Sequence, residues 1–257
     1  MKFTLILCTL GRDVEVEAFL KSLSNQTYQN FELIIVDQNI DERVNNIVQK
    51  FNFRDLRYFK VKFTGLSKAR NFALNFTTGD VVCFPDDDCV YSTNVLQAVA
   101  ANLQANDVCM AGFSYEVARN RFVSSYRVFF SSNVIDGFWF DESLGVGSGT
   151  VFGAAEELDL IHRVCYASQI CSVNFDPSIE IVHPPGSPEN FPSYKVISYA
   201  RGNGAFYVKN FGLFKAMYFG LGELIKSFKV MNAKKTLSAL YKIIGAIEYK
   251  RFRSYYL

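Results

Sequence analysis

Residues 80–88 read Asp80-Val81-Val82-Cys83-Phe84-Pro85-Asp86-Asp87-Asp88, an apolar run that stops at a proline and three aspartates. An apolar run between polar residues predicts a short strand that is buried on both faces, and the proline predicts its end. Such strands are typical of parallel sheets that helices cover on both sides. In these sheets ligands bind beyond the carboxyl ends of the strands, which is where the aspartates lie.

The same kind of pattern extends from this strand along the first half of the chain. Strands and helices alternate, which predicts an α/β fold with a Rossmann-like, mostly parallel central sheet flanked by helices. The predicted strands are residues 3–8, 32–36, 56–61 and 80–84, and the predicted helices are residues 14–23, 41–51 and 66–76.

The pattern after residue 90 is less regular. Residues 123–140 have no clear periodicity, residues 145–153 form a glycine-rich loop, and from residue 193 onward the pattern is helical almost to the end. The other predicted elements are helices at 94–103, with Thr93 as N-cap, and at 156–167, and strands at 108–113 and 180–182.

The positive charge of the chain is concentrated at its C-terminal end. Residues 207–257 contain ten Lys or Arg and two Glu, a net charge of +8, so the first 206 residues carry −6 of the overall +2. Such asymmetry predicts attraction to an anionic surface, and because no nucleic-acid motif is present we favour a membrane. The apolar run 211–225 is shorter than the roughly 20 residues of a membrane span. A helix in the membrane interface and a pair of helices packed on the domain both remain open.

The six cysteines contain no C-x-x-C pair, which argues against a zinc site. The first residues enter a strand directly, without a signal-peptide pattern. We therefore expect a reducing, cytoplasmic environment.

Three adjacent carboxylates at Asp86–Asp88 repel one another, so they need a physical reason. Mg²⁺ or Mn²⁺ binds one or two carboxylates together with substrate phosphates, and this predicts a metal site. A solvated acidic turn that caps the next helix is the alternative. The position at the end of a buried strand favours the metal.

Three other segments carry candidate groups. Gly65-Leu66-Ser67-Lys68-Ala69-Arg70-Asn71 places cations in the first turns of a helix, where a bound diphosphate would compensate them, although an exposed basic face is common. Glu156-Glu157-Leu158-Asp159 offers a general base, or acids that suit a first helical turn. His183 ends a strand and is either a ligand or structural. The glycine-rich loop at 145–150 lacks the third glycine of a dinucleotide fingerprint, so we interpret it as a wall of an acceptor site.

Taken in order, these segments resemble a known family. They are Cys8-Thr9-Leu10-Gly11-Arg12, Gln26-Thr27-Tyr28-Gln29-Asn30-Phe31-Glu32-Leu33-Ile34-Ile35-Val36-Asp37, Gly65–Asn71, Asp86–Asp88 and Glu156–Leu160. The series resembles family 2 of the GT-A glycosyltransferases, of the bacterial polysaccharide type, over residues 3–183. Gln38 replaces the usual second aspartate after the second strand, and Glu157 occupies the slot of the catalytic aspartate.

The resemblance implies a role for each matching position. The donor contacts would be Thr9, Arg12, Asp37, Lys68, Arg70, Asp86 and Asp87. The metal ligands would be Asp86, Asp88 and His183. The general base would be Glu157, with Glu156 and Asp159 as alternatives. The domains would be residues 1–206 as the GT-A domain, with a nucleotide-sugar half at 1–90 and an acceptor half at 91–206, and residues 207–257 as the basic amphipathic helical tail.

The implied reaction is inverting and uses Mn²⁺ or Mg²⁺. A UDP- or dTDP-linked sugar would move to a saccharide or lipid-linked acceptor in cell-surface polysaccharide synthesis, in the cytoplasm or at the inner face of the plasma membrane. Two other functions stay open. A sugar-phosphate nucleotidyltransferase would need a G-x-G-T-R-like loop after the first strand, which Cys8–Arg12 lacks. A non-catalytic nucleotide-sugar-binding or membrane-scaffold protein would fit the changed residue at Glu157.

Overall fold

The computed structural model describes residues 1–103, 107–112, 123–167, 172–184 and 190–256. Strands and helices alternate through its first part, as predicted. The elements of this part are β1 Phe3–Thr9, α1 Val14–Ser24, β2 Phe31–Asp37, α2 Arg43–Val48, β3 Leu56–Lys60, α3 Leu66–Leu74 and β4 Val81–Cys83.

The later elements include strands that the sequence pattern did not reveal. They are β5 Val90–Tyr91, α4 Val95–Asn102, β6 Asp107–Ala111, β7 Val128–Ser131, α5 Ser132–Ile135, α6 Glu156–His162, β8 Ser172–Asp176, β9 Ile181–Val182, α7 Ser193–Lys229 and α8 Ala233–Tyr256.

Two predictions about these elements were wrong in detail. The N-cap of α4 is Asn94 rather than Thr93. The α-helix that begins at Glu156 ends at His162 and continues as a π-helical turn over Arg163–Ala167. Phe113, the last residue of a predicted strand, lies outside the described residues.

The central sheet has seven strands in the order β3-β2-β1-β4-β7-β6-β8. Only β7 runs against its neighbours β4 and β6, and the other described pairings are parallel. Every residue of β1 and β2 is buried, which is the pattern of strands covered on both faces. The predicted α/β fold with a mostly parallel sheet is therefore confirmed.

A glutamine and a glutamate near β2, Gln26 and Glu32, hold the fold together. Gln26 donates to the carbonyl of Ser92 (2.7 Å) and accepts from the amide of Leu96 (3.1 Å), which ties the end of α1 to the start of α4. Glu32 is fully buried and accepts from Thr4 and from the amide of Thr78. Burial opposes its ionisation, but these bonds outweigh burial and lower its pKa to about 2. This segment therefore fixes the scaffold rather than supplying chemistry.

The chain divides into two compact units. The first comprises residues 1–64, 69–139 and 161–184, and the second comprises residues 65–68, 140–160 and 185–257. The predicted boundary between residues 206 and 207 falls inside α7, so no break in secondary structure marks it. Over the described residues, none of the helices is both long enough and apolar enough to cross a membrane.

Candidate functional site

The polar residues predicted from the sequence lie where three neighbouring parallel strands end. β1 ends at Thr9 and β2 at Asp37, and these two residues are register partners. Strand β4, on the other side of β1, ends at Cys83 and leads into Asp86–Asp88. The carboxyl ends of parallel strands meet at one edge of a sheet, so these polar groups are brought to the edge where ligands bind in such folds.

The structure brings Asp86, Asp88 and His183 together. One potential ligand atom from each lies within 4.8 Å of the others. A small second sheet explains how a histidine so distant in sequence arrives there. Strand β5 begins two residues after Asp88 and pairs antiparallel with β9, which ends at Val182, immediately before His183. The sequence pattern contained no sign of β5, so it could not predict this pairing.

The imidazole of His183 is oriented toward the two aspartates. Its Nε2 lies 3.1 Å from Oδ1 of Asp88 and 3.7 Å from Oδ2 of Asp86. Its Nδ1 lies 2.8 Å from the carbonyl oxygen of Pro184. Histidines that bind metals typically donate their second ring nitrogen to a carbonyl in this way. Two carboxylates and one such imidazole suit Mn²⁺ or Mg²⁺, so the residues present fit the implied ion.

The charges of the three aspartates are balanced by different neighbours. Burial opposes the ionisation of Asp88, but its contacts with His183 and Arg12 outweigh burial and lower its pKa. The hydrogen bond to Asp88 is the main reason that the pKa of His183 is raised. Burial dominates at Asp87 and raises its pKa. The side chain of Asp87 accepts from Thr9 Oγ1 (2.7 Å) and from Arg12 Nη1 (2.7 Å). Thr9 and Arg12, predicted as donor contacts, are thus directed at the aspartate cluster.

Arg70 is a buried cation beside the aspartates. Its guanidinium is almost fully buried, lies 3.2 Å from Oδ1 of Asp86, and donates to Oγ of Ser125 at 3.0 Å. It also lies over the ring of Phe84. A buried arginine held from several sides keeps a fixed geometry, which suits recognition of a diphosphate. Lys68 from the same motif is exposed and belongs to the other compact unit.

A short 3₁₀ turn over Ser125–Arg127 supports both Arg70 and His183. Ser125 accepts the bond from Arg70, and the ring of Tyr126 stacks on the imidazole of His183 with centroids 4.7 Å apart and an interplanar angle of 9°. The guanidinium of Arg127 lies over the ring of Tyr126, 5.0 Å from its centroid. These residues fall in the stretch 123–140 that had no assignable periodicity, so no signal in the sequence could have identified them.

The stack predicts a measurable role for Tyr126 in metal binding. Replacing Tyr126 by alanine removes the surface that holds the imidazole of His183, and we expect Mn²⁺ affinity to fall about tenfold, at the low end of outer-shell effects. Free Mn²⁺ measured by electron paramagnetic resonance during a titration reports this affinity without any turnover. Tyr126→Phe keeps the ring and should bind Mn²⁺ as the unchanged protein does. Equal affinities for the alanine and phenylalanine variants would show that the stack has no such role.

Asp37 lies at the centre of a second polar cluster. Its carboxylate is fully buried and accepts from the amide and the side chain of Asn39 at 2.8 and 2.7 Å and from the hydroxyl of Tyr58 at 2.6 Å. Lys60 Nζ lies 3.4 Å away. The neighbouring Gln38 is buried, and no described residue hydrogen-bonds its Oε1. A buried acceptor without a donor is uncommon, and a donor from a ligand would satisfy it. Sequence reasoning singled out Asp37 and missed Asn39, Tyr58 and Lys60.

The three acids predicted as alternative bases have different surroundings, all within the second compact unit. Asp159 is fully buried, with Lys209 Nζ at 2.8 Å and Asn210 Nδ2 at 3.0 Å. Glu156 is also buried and lies under the glycine-rich loop: a Cβ added to Gly145 would meet its carboxylate at 2.9 Å. Glu157 is half-buried. The residue before this helix, Ala155, has a φ of +75°, a left-handed conformation that residues other than glycine adopt rarely.

The glycine-rich loop closes on the start of α3. The carbonyl oxygen of Val146 accepts from the amide of Leu66 at 3.0 Å, and that of Leu144 accepts from the hydroxyl of Ser67 at 2.7 Å. Gly147 has a φ of +74° and approaches Gly65 so closely that a Cβ on it would lie 3.2 Å from the Gly65 nitrogen. The glycines thus permit a tight backbone contact with the start of the Gly65–Asn71 motif. The role of the loop as a wall of an acceptor site stays a prediction.

Solved structures of similar fold define the fold class. The mannosyltransferase from Pyrobaculum calidifontis, solved with GDP-Man and Mn²⁺, has a TM-score of 0.65 at 13% identity and covers 96% of this chain and 86% of that one. The structure of S. aureus TarS 1-349 has a TM-score of 0.62 at 15% identity, and the match covers 99% of this chain and 92% of that one. The fold is that of the GT-A glycosyltransferases, as predicted.

The family follows from the sequence match. The model of glycosyl transferase family 2 matches residues 4–159, more than half of the chain, and the chain belongs to that family. An Escherichia coli protein named UDP-Glc:alpha-D-GlcNAc-diphosphoundecaprenol beta-1,3-glucosyltransferase is 24% identical over 118 residues, which are 46% of this chain and 47% of that protein. A Campylobacter jejuni GalNAc(5)-diNAcBac-PP-undecaprenol beta-1,3-glucosyltransferase is 31% identical over 91 residues, 34% of this chain and 29% of that protein. The chain thus spans less than half the length of either relative.

Proposed function

We propose that this protein is an inverting, metal-dependent glycosyltransferase that moves a sugar from a nucleoside diphosphate to a saccharide or lipid-linked acceptor. The observation that carries the proposal is the convergence of Asp86, Asp88 and His183 at the carboxyl edge of the sheet, with the buried Arg70 beside them. A divalent ion held by these three residues would neutralise the charge that develops on the leaving diphosphate.

The side chains of the first unit would bind and orient the donor. Arg70 would pair with the diphosphate, while Asp37 and the unsatisfied Oε1 of Gln38 would meet the base or ribose. Thr9, Arg12 and Asp87 would keep the acidic cluster in place. Lys68 would be a further contact to the diphosphate. We favour a UDP- or dTDP-linked sugar, in line with the structure of TarS bound to UDP-GlcNAc.

The general base would come from the helix that starts at Glu156. Asp159 is fully buried beside Lys209 and Asn210, and Glu156 is buried beneath Gly145, so neither carboxylate is accessible to an acceptor. Glu157 is the half-buried acid of the three and would take the proton from the attacking acceptor hydroxyl. The sugar would then invert at its anomeric carbon as the nucleoside diphosphate leaves.

A cavity in the second unit suits an anionic, partly apolar acceptor. It has a volume of about 530 Å³ and combines Lys250 and Arg253 with Val208 and Leu213. Two cations beside apolar side chains match a phosphate attached to a lipid. Lys209 also lines the cavity, but its Nζ is paired with Asp141 and Asp159. The named activities of the E. coli and Campylobacter relatives involve diphosphoundecaprenol acceptors, which supports this class of acceptor.

The proposed organisation follows the predicted division. Residues 1–206 would form the catalytic domain, with a nucleotide-sugar half at 1–90 and an acceptor half at 91–206 that supplies the general base. The cavity proposed for the lipid phosphate is lined by residues of the segment 207–257. Residues 207–257 would form a basic tail that keeps the enzyme at the cytoplasmic face of the membrane.

A panel of nucleotide sugars tests the proposed activity. We expect the purified protein with Mn²⁺ to release nucleotide slowly by hydrolysis of one donor, which a phosphatase-coupled assay detects even without the acceptor. Chelation with EDTA should abolish the release, and added Mn²⁺ or Mg²⁺ should restore it. Donor binding without release, also in the presence of lipid-linked and saccharide acceptors, would instead indicate a non-catalytic binding protein.

A further inference from the structure

The long helix α7 carries an apolar stripe that is exposed among the residues that the structure describes. Beyond the kink at Gly212, five large apolar side chains recur at alternating intervals of four and three residues, which places them on one helical face. Between 48% and 86% of each side chain is exposed. The stripe consists of Phe214, Tyr218, Leu221, Ile225 and Phe228.

The opposite face of α7 explains why the stripe is left outside. Ala216, Gly220 and Ser227 are buried there, and a Cβ on Gly220 would lie 2.5 Å from the side chain of Ile243 in α8. Closer to the domain, a Cβ on Gly204 would lie 2.1 Å from the carbonyl oxygen of Lys242. Small residues therefore let α7 pack closely against α8, and the large apolar residues face away from that contact.

Lysines follow one edge of the stripe. At about 100° per residue, Lys215, Lys226 and Lys229 all fall on the same side of it, and Lys234 and Lys235 follow at the start of α8. The acid within residues 213–235, Glu223, is bonded to Lys242 Nζ at 2.6 Å. The edge of the stripe is therefore strongly positive.

We propose that this stripe and its lysine edge dock on the surface of an anionic lipid bilayer, with α7 lying in the interface. A contiguous exposed apolar face on a helix with lysines beside it is the pattern of interfacial helices, in which apolar side chains enter the headgroup boundary and lysines meet anionic lipids. The docking would hold the enzyme at its acceptor, but it does not depend on the proposed activity, because binding to vesicles requires no turnover.

Charge complementarity favours lipid over a second copy of this chain. Two stripes packed together would bury the lysine edges, and the facing copy offers no acid to them within residues 213–235, because Glu223 is bonded to Lys242. An anionic bilayer, by contrast, offers a counter-charge to every lysine and an apolar boundary to every stripe residue.

Vesicle flotation of the full chain, without donor or metal, tests the proposal. We expect it to float with vesicles of equal parts phosphatidylglycerol and phosphatidylcholine, to float far less with phosphatidylcholine alone, and to be released by high salt, which screens the charges. Lys226→Gln with Lys229→Gln should weaken binding about 25-fold, because each lysine near an anionic surface contributes about a factor of five. Phe214→Gln with Phe228→Gln should weaken it at least tenfold.

Matched variants control for charge and apolarity in general. Lys21→Gln with Lys50→Gln removes two exposed lysines from the first unit, and Val14→Gln with Tyr194→Gln removes two exposed apolar side chains outside the stripe. Both pairs should float like the unchanged protein. Absence of flotation with the anionic vesicles would overturn the proposal. So would a stable dimer that fails to bind vesicles and that the Phe214 and Phe228 substitutions convert to monomer, since the stripe would then be an interface between copies.

Discussion

Replacing Asp88 by asparagine should abolish the Mn²⁺-dependent part of nucleoside diphosphate binding. Asp88 contacts His183 and Arg12 and is the aspartate closest to the imidazole, so its oxygens are central to the three-residue cluster. Changing a group that only orients a metal ligand typically costs 10- to 100-fold in affinity, so losing the negative charge of a ligand itself should cost about 100-fold or more. Calorimetric titration of UDP in Mn²⁺ and in EDTA measures the effect.

The matched control for this substitution lies on the same strand segment. Asp80→Asn changes an exposed aspartate that precedes β4, whereas the aspartate cluster follows that strand. This variant should leave the titration unchanged. The melting temperature of both variants must be checked, because Asp88 forms an ion pair with Arg12. An Asp88→Asn variant that folds and still binds UDP more tightly with Mn²⁺ than with EDTA would exclude this residue as a metal ligand.

Replacing Glu157 by glutamine should lower the rate of sugar transfer by about 10²–10⁴-fold, the usual contribution of a positioned general base. The amide keeps the size of the side chain but cannot take a proton from the acceptor hydroxyl. Since the proton moves only in the chemical step, the donor Kd should not change. Measurement of kcat for transfer, alongside calorimetry with the donor, separates these effects.

Substitution of Asp159 provides the contrast. Asp159→Asn weakens a buried contact with Lys209 and Asn210, so we expect a loss of folding stability of about 1–3 kcal/mol, seen as a lower melting temperature. If Glu157→Gln retains full transfer activity while Asp159→Asn is stable but inactive, the roles of the two acids are reversed.

The fold could be predicted because the strands and helices in the first half of the chain have clear local patterns of hydrophobicity. The strands that became β1, β2 and β4 are continuous apolar runs, and each ends at polar residues that the parallel topology brings to one edge. The antiparallel strand β7 could not be predicted in the same way. It occupies a stretch whose burial comes from its neighbours β4 and β6, and periodicity does not report such long-range pairing.

The candidate site was predictable where a residue type itself is unusual. Adjacent aspartates and an arginine in the first turns of a helix need a partner, and Asp86 and Arg70 indeed lie 3.2 Å apart. The supporting residues were not predictable, because Ser125 and Tyr126 are ordinary in their sequence surroundings. They matter only because the sheet places their turn beside Arg70 and His183.

The aromatic residues of the C-terminal helices show a further reason why the sequence alone could not predict the whole structure. The sequence left two interpretations open, a membrane-facing tail and helices packed on the domain. The structure separates them by residue: Phe152, Tyr249 and Phe252 pack together in the second unit, whereas Phe214 is exposed. Hydrophobicity alone does not tell which apolar side chains have partners, since that depends on how α7 and α8 pair.

A crystal structure of the protein with Mn²⁺ and UDP, with diffraction data collected at the manganese absorption edge, would locate the metal directly. We predict that the strongest anomalous peak lies within about 2–2.5 Å of Asp86, Asp88 and His183 and of the diphosphate oxygens. UDP bound at the sheet edge with the manganese peak elsewhere, or with no peak, would contradict the assignment of a metal-dependent glycosyltransferase site.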